Sequence, residues 1–210
     1  ILAREEAYEL RTMQASGYDV VALGNHEFDL KPDGLARMLR VGSEKGMPAV
    51  VCSNLEFTDN DKGDASLKKA FADGLIKPYI VLRRSGLRIG VFALMGRHAA
   101  EDAPFARPVK FSDQIRTAQS MVNMLRTDEK VDLVICLSHG GLNLGDPELI
   151  KGDDVELAKR VTGINVIISG HTHIKSSKPL DVRGTLIVQA GANGAAVGVM
   201  DLDVKDRKAT

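Results

Sequence analysis

The chain has 210 residues and carries 28 basic and 28 acidic side chains, so its formal net charge is +0. Balanced charge argues against broad binding to a nucleic-acid polymer or a membrane surface. No apolar run reaches the roughly 18 residues that would cross a bilayer. The length suits one domain, residues 1–210, which can bury a sizeable core without disulfides. The two cysteines lie inside apolar runs and are predicted to be buried free thiols.

Short apolar, β-branched runs alternate with stretches of helical periodicity, which predicts an α/β fold. Continuous apolar runs are typical of strands covered on both faces. Strands are predicted at 19–23, 48–53, 88–94, 132–137, 165–169 and 185–190. Helices are predicted at 3–15, 32–45 and 113–127. The polar segment 56–71 is predicted to be a surface excursion, and VGVMDLDV (197–204) a last, antiparallel strand.

Polar residues follow several of the predicted strands. Asn25 and His26 come after the first strand, His139 after the fourth, and His171 and His173 after the fifth. All five histidines of the chain fall at predicted strand exits, and none falls in a predicted helix. Open α/β sheets bind ligands beyond the carboxyl ends of their strands. We therefore expect a functional site at this edge of the sheet.

Three motifs carry the chemistry: GNHEFD (24–29), SHGG (138–141) and SGHTH (169–173). A glycine beside each polar residue allows tight turns and a close approach of a ligand to the backbone. In HTH, the spacing of i and i+2 predicts that both rings lie on one side of an extended segment. Imidazoles suit Zn, Mn, Fe, Ni or Co, and an asparagine oxygen adds a harder ligand. The motifs therefore indicate a metal site.

Taken in this order, the three motifs resemble the calcineurin-like metallophosphoesterases, and most closely the branch that contains 5′-nucleotidases and UDP-sugar hydrolases. The likeness extends to PAVVCSNL, RSGLRIGVFAL and IVQAGANGAAVGVMDLDV, and so covers residues 18–204. It implies an αββα sandwich and a hydrolase that uses two divalent metal ions on a nucleotide or nucleotide-sugar phosphate. It also implies a periplasmic or extracellular location.

The resemblance also assigns roles to single residues. Four residues match the family's metal ligands: Asn25, His139, His171 and His173. The first three would bind one metal, and His173 its neighbour. His26 matches the residue that contacts the scissile phosphate and assists the leaving oxygen, and Asp29 matches the carboxylate that pairs with this imidazole. Two cations about 3.5–4 Å apart can clamp a phosphate and activate a bridging water. Mn, Zn, Fe and Co all suit these ligands.

One part of the family pattern does not occur in this chain. The family also has an Asp-x-His motif and a Gly-Asp motif upstream of GNHE, and neither precedes Gly24 here. The four matched ligands are all neutral, whereas hard dications normally require carboxylates. We therefore expect a catalytic domain that is incomplete at its N-terminus, lacks the branch's C-terminal substrate domain, and holds one metal weakly or none.

Two other functions stay open. The missing carboxylates favour a non-catalytic or inactive module, and a change of substrate would give a 2′,3′-cyclic-nucleotide phosphodiesterase. Single residues also have structural alternatives: Asp29 could cap the helix that starts near Pro32, and Glu27 is predicted to be a hydrogen-bond partner. His98 is predicted to lie in a solvated loop, and Asn54 either orients a site group or forms a turn.

Overall fold

The computed structural model describes residues 6–58, 62–143, 151–205 and 208–209. Its helices are α1 (Tyr8–Ala15), α2 (Lys31–Lys45), α3 (Ala65–Ala72), α4 (Arg97–Glu101), α5 (Gln114–Thr127) and α6 (Asp153–Arg160), and short 3-10 helices span Asn25–Leu30, Lys62–Asp64 and Pro104–Ala106. The strands are β1 (Val20–Ala22), β2 (Ala49–Val51), β3 (Leu55–Glu56), β4 (Tyr79–Arg84), β5 (Leu87–Met95), β6 (Lys110–Phe111), β7 (Leu133–His139), β8 (Val166–Ser169), β9 (Leu180–Val182), β10 (Thr185–Val188), β11 (Val204–Lys205) and β12 (Lys208–Ala209).

The largest sheet has six strands in the order β4-β5-β7-β8-β10-β9. Its four inner strands are parallel, and each edge strand is antiparallel to its neighbour. Strands β1 and β2 form a separate parallel pair, and β1 lies in contact with β7. The carboxyl ends of β5, β7 and β8 therefore open on one edge, where Met95 pairs with His139 and Ser138 with Ser169.

Two hydrophobic cores flank these sheets. Helices α5 and α6 pack on one face of the six-stranded sheet, where Phe92, Cys136 and Ile167 are fully enclosed. Helices α2 and α3 pack with the β1–β2 pair around Phe28 and Leu35. The result is a mixed α/β fold with helices outside the sheets, which confirms the predicted fold class. Within the described ranges, no helix is long and apolar enough to span a membrane.

The apolar runs located most of the regular structure. The six runs predicted as strands overlap β1, β2, β5, β7, β8 and β10, and β5 and β7 extend beyond the predicted ends. Predicted helices 32–45 and 113–127 correspond to α2 and α5, and predicted helix 3–15 contains α1, with residues 3–5 outside the described ranges. The cap of α5 is Asp113, whose side chain accepts a hydrogen bond of 2.8 Å from the backbone N–H of Arg116.

Coverage on both faces of the sheet was predicted and is wrong in part. Val134 and Cys136 of β7 are buried against the helices, whereas Ile135 and Leu137, which point to the other face, are only half-buried. On β8, Ile168 is 45% exposed. A continuous apolar run shows that both faces of a strand are apolar, but it does not fix how completely each is covered.

The predicted last strand at 197–204 is also wrong. No strand is assigned at 196–203, and only Val204 and Lys205 pair, with β12. Val197 and Val199 are 87% and 86% exposed. The alternation of apolar and polar residues is typical of a strand, but a strand needs a partner edge, and the described residues give this segment none.

The polar segment 56–71 is more deeply buried than a surface excursion. Residues 59–61 lie outside the described residues, but α3 buries Leu67 and Ala70 in the core with α2. Asp64 is also fully buried, and its Oδ2 accepts hydrogen bonds from the backbone N–H of Thr58 at 2.8 Å and from its hydroxyl at 3.2 Å. The prediction was based on the polar residues at the start of the segment, whereas the apolar residues in its second half determine its burial.

The buried side chain of Asn54 forms hydrogen bonds with two other segments of the backbone. Its side-chain amide donates to the backbone oxygens of Met95 at 2.9 Å and Ser112 at 3.1 Å, and its oxygen accepts from the N–H of Met95 at 3.0 Å. The residue is 1% exposed. Asn54 was predicted either to orient a site group or to form a turn. Its side chain instead bonds to backbone groups and fixes the end of β5.

Candidate functional site

Two polar turns and the end of β7 meet at one edge of the fold. The turns follow β1 and β8, and His139 is the last residue of β7. Nε2 of His139 lies 2.8 Å from Oδ1 of Asn25. The rings of His139 and His171 have centroids 5.1 Å apart and an angle of 56° between their planes. Three of the predicted site residues, distant in the sequence, are therefore close together in the fold.

Glycine makes this close packing possible. A Cβ atom on Gly24 would lie 2.7 Å from Cε1 of His139, and one on Gly170 would lie 3.1 Å from Nδ1 of the same ring. The His139 imidazole thus rests directly against the backbone of both neighbouring turns. The glycines beside the polar residues leave room for a side chain of the protein itself, which the sequence did not predict.

The HTH turn is not the extended segment that was predicted. His171 and His173 have φ angles of 72° and 59°, in the left-handed region that costs a residue with a side chain about 1–3 kcal/mol. Thr172 holds the turn: its Oγ1 accepts from the N–H of Leu142 at 3.0 Å and donates to Oε1 of Gln189 at 3.2 Å. The alternation expected of a strand therefore does not apply here.

His173 is the one predicted metal ligand that the fold does not bring into contact with the others. Among the described residues, it forms no hydrogen bond or ring contact with Asn25, His139 or His171. Its charge is nevertheless close enough to contribute to lowering the pKa of His139. His173 lies at the border of the cluster, with an exposed side chain.

His26 and Asp29 form a pair on the outside of the 3-10 helix Asn25–Leu30. Nδ1 of His26 lies 2.9 Å from Oδ2 of Asp29, and both side chains are mostly exposed. The hydrogen bond that Asp29 accepts from the imidazole, followed by the charge of Asp29, raises the pKa of His26 above its ordinary value of 6.5. Asp29 does not cap α2, whose N-cap is Leu30 with no side-chain hydrogen bond.

Glu27, between these two residues, has the structural role predicted for it. Its Oε2 accepts a hydrogen bond of 2.6 Å from the backbone N–H of Gly24, the residue that precedes the 3-10 helix. Burial raises the pKa of this carboxyl. Glu27 thereby fixes the turn in which Asn25 and His26 lie.

Burial keeps the ring of His139 neutral. It lowers the pKa of His139 from 6.5 to about 4, and the nearby charges of His171, His26 and His173 act in the same direction. Only a neutral imidazole has a free nitrogen lone pair with which to bind a metal. At neutral pH, His139 is therefore in the form that can act as a ligand.

The spacing of the donor atoms in the cluster suits a cation, but their lack of charge does not. Two donor atoms that bind one cation at about 2.1 Å from neighbouring positions lie roughly 3 Å apart, close to the 2.8 Å between His139 Nε2 and Asn25 Oδ1. All of the predicted ligands are neutral. Within the described part of the chain, no three His, Cys, Asp or Glu side chains form a metal-binding group. The donors suit one cation but leave its charge uncompensated.

Asp102 is a residue near the cluster that the sequence did not indicate. Its Oδ2 lies 3.5 Å from Nε2 of His171, and its backbone oxygen accepts from the side-chain amide of Asn25 at 3.4 Å. Its charge also contributes to raising the pKa of His26. Asp102 follows α4 and belongs to none of the three motifs, so only the folded chain reveals its position.

His98 does not belong to the cluster. Its side chain is exposed, as predicted, but its predicted place in a loop is wrong. It lies in α4, where its Nδ1 is 3.1 Å from Oδ1 of Asp153 and its backbone N–H donates to Oδ2 at 3.1 Å. His26 is likewise in a 3-10 helix. The expectation that no histidine lies in a helix is therefore wrong. The histidines lie near strand ends, but short helices follow two of those strands.

A cavity of about 1410 Å³ begins at the end of β5. Gly96 and Arg97 line it on one side, and Asp153, Glu156 and Arg160 of α6 on another. None of the predicted catalytic or metal-binding residues lines this cavity. The histidine cluster is therefore a separate feature of the same edge.

The model of the family described as "Calcineurin-like phosphoesterase" matches residues 4–175. The chain is 33% identical, over 92% of its length, to the trifunctional nucleotide phosphoesterase protein YfkN of Bacillus subtilis, and 30% identical, over 77%, to a probable 5′-nucleotidase of Treponema pallidum. It spans only 14% and 23% of those proteins. The crystal structure of a 5′-nucleotidase precursor from Thermus thermophilus superposes with a TM-score of 0.66 and 29% identity, over 90% of this chain and 36% of that one.

Replacement of Gly24 by alanine is expected to displace the His139 ring. The φ of Gly24 is −114°, so alanine fits the backbone, but its Cβ would lie 2.7 Å from that ring. We expect the variant to lose about 1–3 kcal/mol of stability in urea unfolding and to shift the His139 ring resonances in NMR spectra. Gly198→Ala is the control, because its Cβ would meet only an ordinary contact at 3.7 Å. Unchanged His139 resonances in Gly24→Ala would contradict the described packing.

Proposed function

Because this chain belongs to the calcineurin-like phosphoesterase family, we propose that it is the catalytic part of a metal-dependent phosphoester hydrolase that acts on nucleotides. The observation that carries the proposal is the convergence of Asn25, His139 and His171 at the strand ends. Neutral nitrogen and oxygen donors at such an edge suit a divalent metal such as Mn, Zn, Fe or Co. A bound metal would polarise the phosphate and lower the pKa of a water molecule.

Each of the predicted site residues has a place in this proposal. Asn25, His139 and His171 would hold one cation, and His173 would be a ligand of a second one. His26 follows Asn25 in the sequence, and its exposed imidazole is accessible to a substrate that approaches from solvent. It donates a proton to the departing oxygen of the phosphoester, and Asp29 keeps it protonated for that step.

The names of the relatives support a nucleotide as the substrate. YfkN is named a nucleotide phosphoesterase, and the proteins from T. pallidum and T. thermophilus are named 5′-nucleotidases. We propose that a nucleoside 5′-monophosphate is hydrolysed, with nucleotide sugars and 2′,3′-cyclic nucleotides as the competing substrates. A periplasmic or extracellular location stays a prediction from the resemblance.

A second candidate function, a non-catalytic module, rests on the charge of the donors. The four predicted ligands are neutral, and Asp102, a carboxylate close to them, is 64% exposed. In the enzymatic proposal, residues 1–210 form one partial catalytic domain, and carboxylates outside these residues complete the cation site. In the alternative, no such carboxylates are supplied, and the protein binds neither metal nor nucleotide.

Replacement of His139 by alanine separates the two functions. In the protein expressed from its complete gene, we expect metal-dependent hydrolysis of AMP, UDP-glucose or 2′,3′-cyclic AMP to fall about 10³-fold or more, because several kcal/mol of charge stabilisation would be lost. His98→Ala, which removes a histidine outside the cluster, should retain activity within about threefold of wild type. Turnover that survives the loss of His139, or wild-type protein that hydrolyses none of these substrates with added Mn²⁺, would refute the proposal.

Replacement of Asp29 by asparagine tests the proton donor. The partner Asp29 raises the pKa of His26, so the protonated imidazole persists to higher pH. Loss of the charge lowers that pKa, and the alkaline limb of the kcat profile should therefore move to lower pH, with kcat down about 10-fold or more at neutral pH. Asp33→Asn, an exposed acidic residue on α2, is the control and should keep the wild-type profile. Coincident profiles for Asp29→Asn and wild type would exclude this role for His26.

A further inference from the structure

A buried carboxylate lies beneath the turn that follows β7. Asp154, in the first turn of α6, is 1% exposed. The hydroxyl of Ser138 donates to its Oδ1, and the backbone N–H of Gly141 donates to its Oδ2 at 3.0 Å. The N–H of Asp154 itself donates to the oxygen of Gly141 at 3.3 Å. The segment around His139 is therefore tied at both ends to one residue of α6.

The same carboxylate also reaches the end of β8. The hydroxyl of Ser169 is close enough to Asp154 to lower the pKa of that carboxyl, although it donates to Oε1 of Gln189 at 3.3 Å, and Ser138 and Ser169 are direct neighbours in the sheet. Ser138 immediately precedes His139, and Ser169 is separated from His171 only by Gly170. Asp154 thus bonds to the end of β7 and lies near the paired end of β8, and the two contacting imidazoles follow these strand ends.

The turn is shaped to admit this carboxylate. A Cβ atom on Gly140 would lie 2.7 Å from Oδ1 of Asp154 and 3.1 Å from Oγ of Ser138. Any residue larger than glycine at this position would therefore push the carboxyl away from its hydroxyl donor. The second glycine-flanked segment, SHGG, accommodates Asp154 just as Gly24 accommodates the ring of His139.

We propose that Asp154 is a positioning residue for the cation site, which fixes the imidazoles of His139 and His171 in the mutual arrangement that allows both to bind one metal ion. The proposal rests on the metal-dependent function proposed above. No hydrogen bond among the described residues joins Asp154 to either imidazole. It acts through its hydrogen bonds to Ser138 and Gly141, and reaches β8 through the pairing of Ser138 with Ser169. Hydrogen-bonded residues that orient metal ligands typically change metal affinity 10–100-fold when they are removed.

Stability alone gives little reason for a carboxyl group at this place. Burial raises the pKa of Asp154 from 3.8 to about 7, so the site penalises its charge. A well-packed apolar residue in such a position is often neutral or stabilising. What an apolar residue cannot provide is directional bonds to the end of β7 and to the turn that follows it. Those bonds restrict the turns to one relative orientation.

Binding of Co²⁺ tests the proposal in the protein expressed from its complete gene. Calorimetry gives the affinity, and the visible absorption bands of Co²⁺ report the ligand geometry without any need for activity. Asp154→Ala should weaken Co²⁺ binding about 10–100-fold and change the absorption bands. Asp154→Asn, which keeps one acceptor and gains a donor, should restore part of the affinity. The matched control is Asp153→Ala, because Asp153 is the preceding residue, is 6% exposed and bonds to His98; it should stay within about threefold of wild type.

Two serine variants keep the test decisive if Asp154→Ala does not fold. Ser138→Ala and Ser169→Ala each remove a single hydroxyl, and each should weaken Co²⁺ binding about 3–10-fold. Wild-type affinity and absorption bands in Asp154→Ala, or in both serine variants, would overturn the positioning role alone. An equal loss in Asp153→Ala would also overturn it, because the effect would then belong to α6 as a whole. Wild-type protein that does not bind Co²⁺ would overturn the proposed function together with this inference.

Discussion

The parallel pairing of β7 with β8 is the constraint on which the candidate site depends. Its register sets Ser138 beside Ser169, so His139 and the turn that carries His171 leave the sheet side by side. Contact between β1 and β7 then brings Asn25 to the same point. No local sequence feature places these residues together. Their proximity is a consequence of strand direction, because parallel strands have their carboxyl ends at one edge.

The chemistry of the cluster follows from how tightly it is packed. The His139 ring lies against the backbones of Gly24 and Gly170, and burial there holds it neutral. His26, only one residue beyond Asn25, is exposed and paired with Asp29, so its pKa moves in the opposite direction. One edge of the fold thus contains an imidazole that burial keeps neutral and another whose protonated form is favoured by a neighbouring carboxylate. Different surroundings shift the pKa values of two residues of the same type in opposite directions.

Much of the fold and part of the site could be predicted from the sequence. Apolar runs located the inner strands, and the order of GNHEFD, SHGG and SGHTH indicated which residues would meet. The left-handed conformations of His171 and His173 could not be predicted, because hydrogen bonds of Thr172 to distant residues impose them. Asp102 and Asp154 lie outside the motifs, and only the packing of α4 and α6 brings them to the strand ends. Periodicity alone also misassigned 197–204, since it contains no information about a partner strand.

The most direct test of the account is a crystal structure of the protein expressed from its complete gene, soaked with Mn²⁺ and measured with anomalous scattering. If Asn25, His139 and His171 bind one cation, an anomalous peak should lie about 2.0–2.3 Å from Oδ1 of Asn25 and from ring nitrogens of the two histidines. A neighbouring peak should lie beside His173. Anomalous density elsewhere, with these rings turned away from one another while Mn²⁺ is present, would contradict the account.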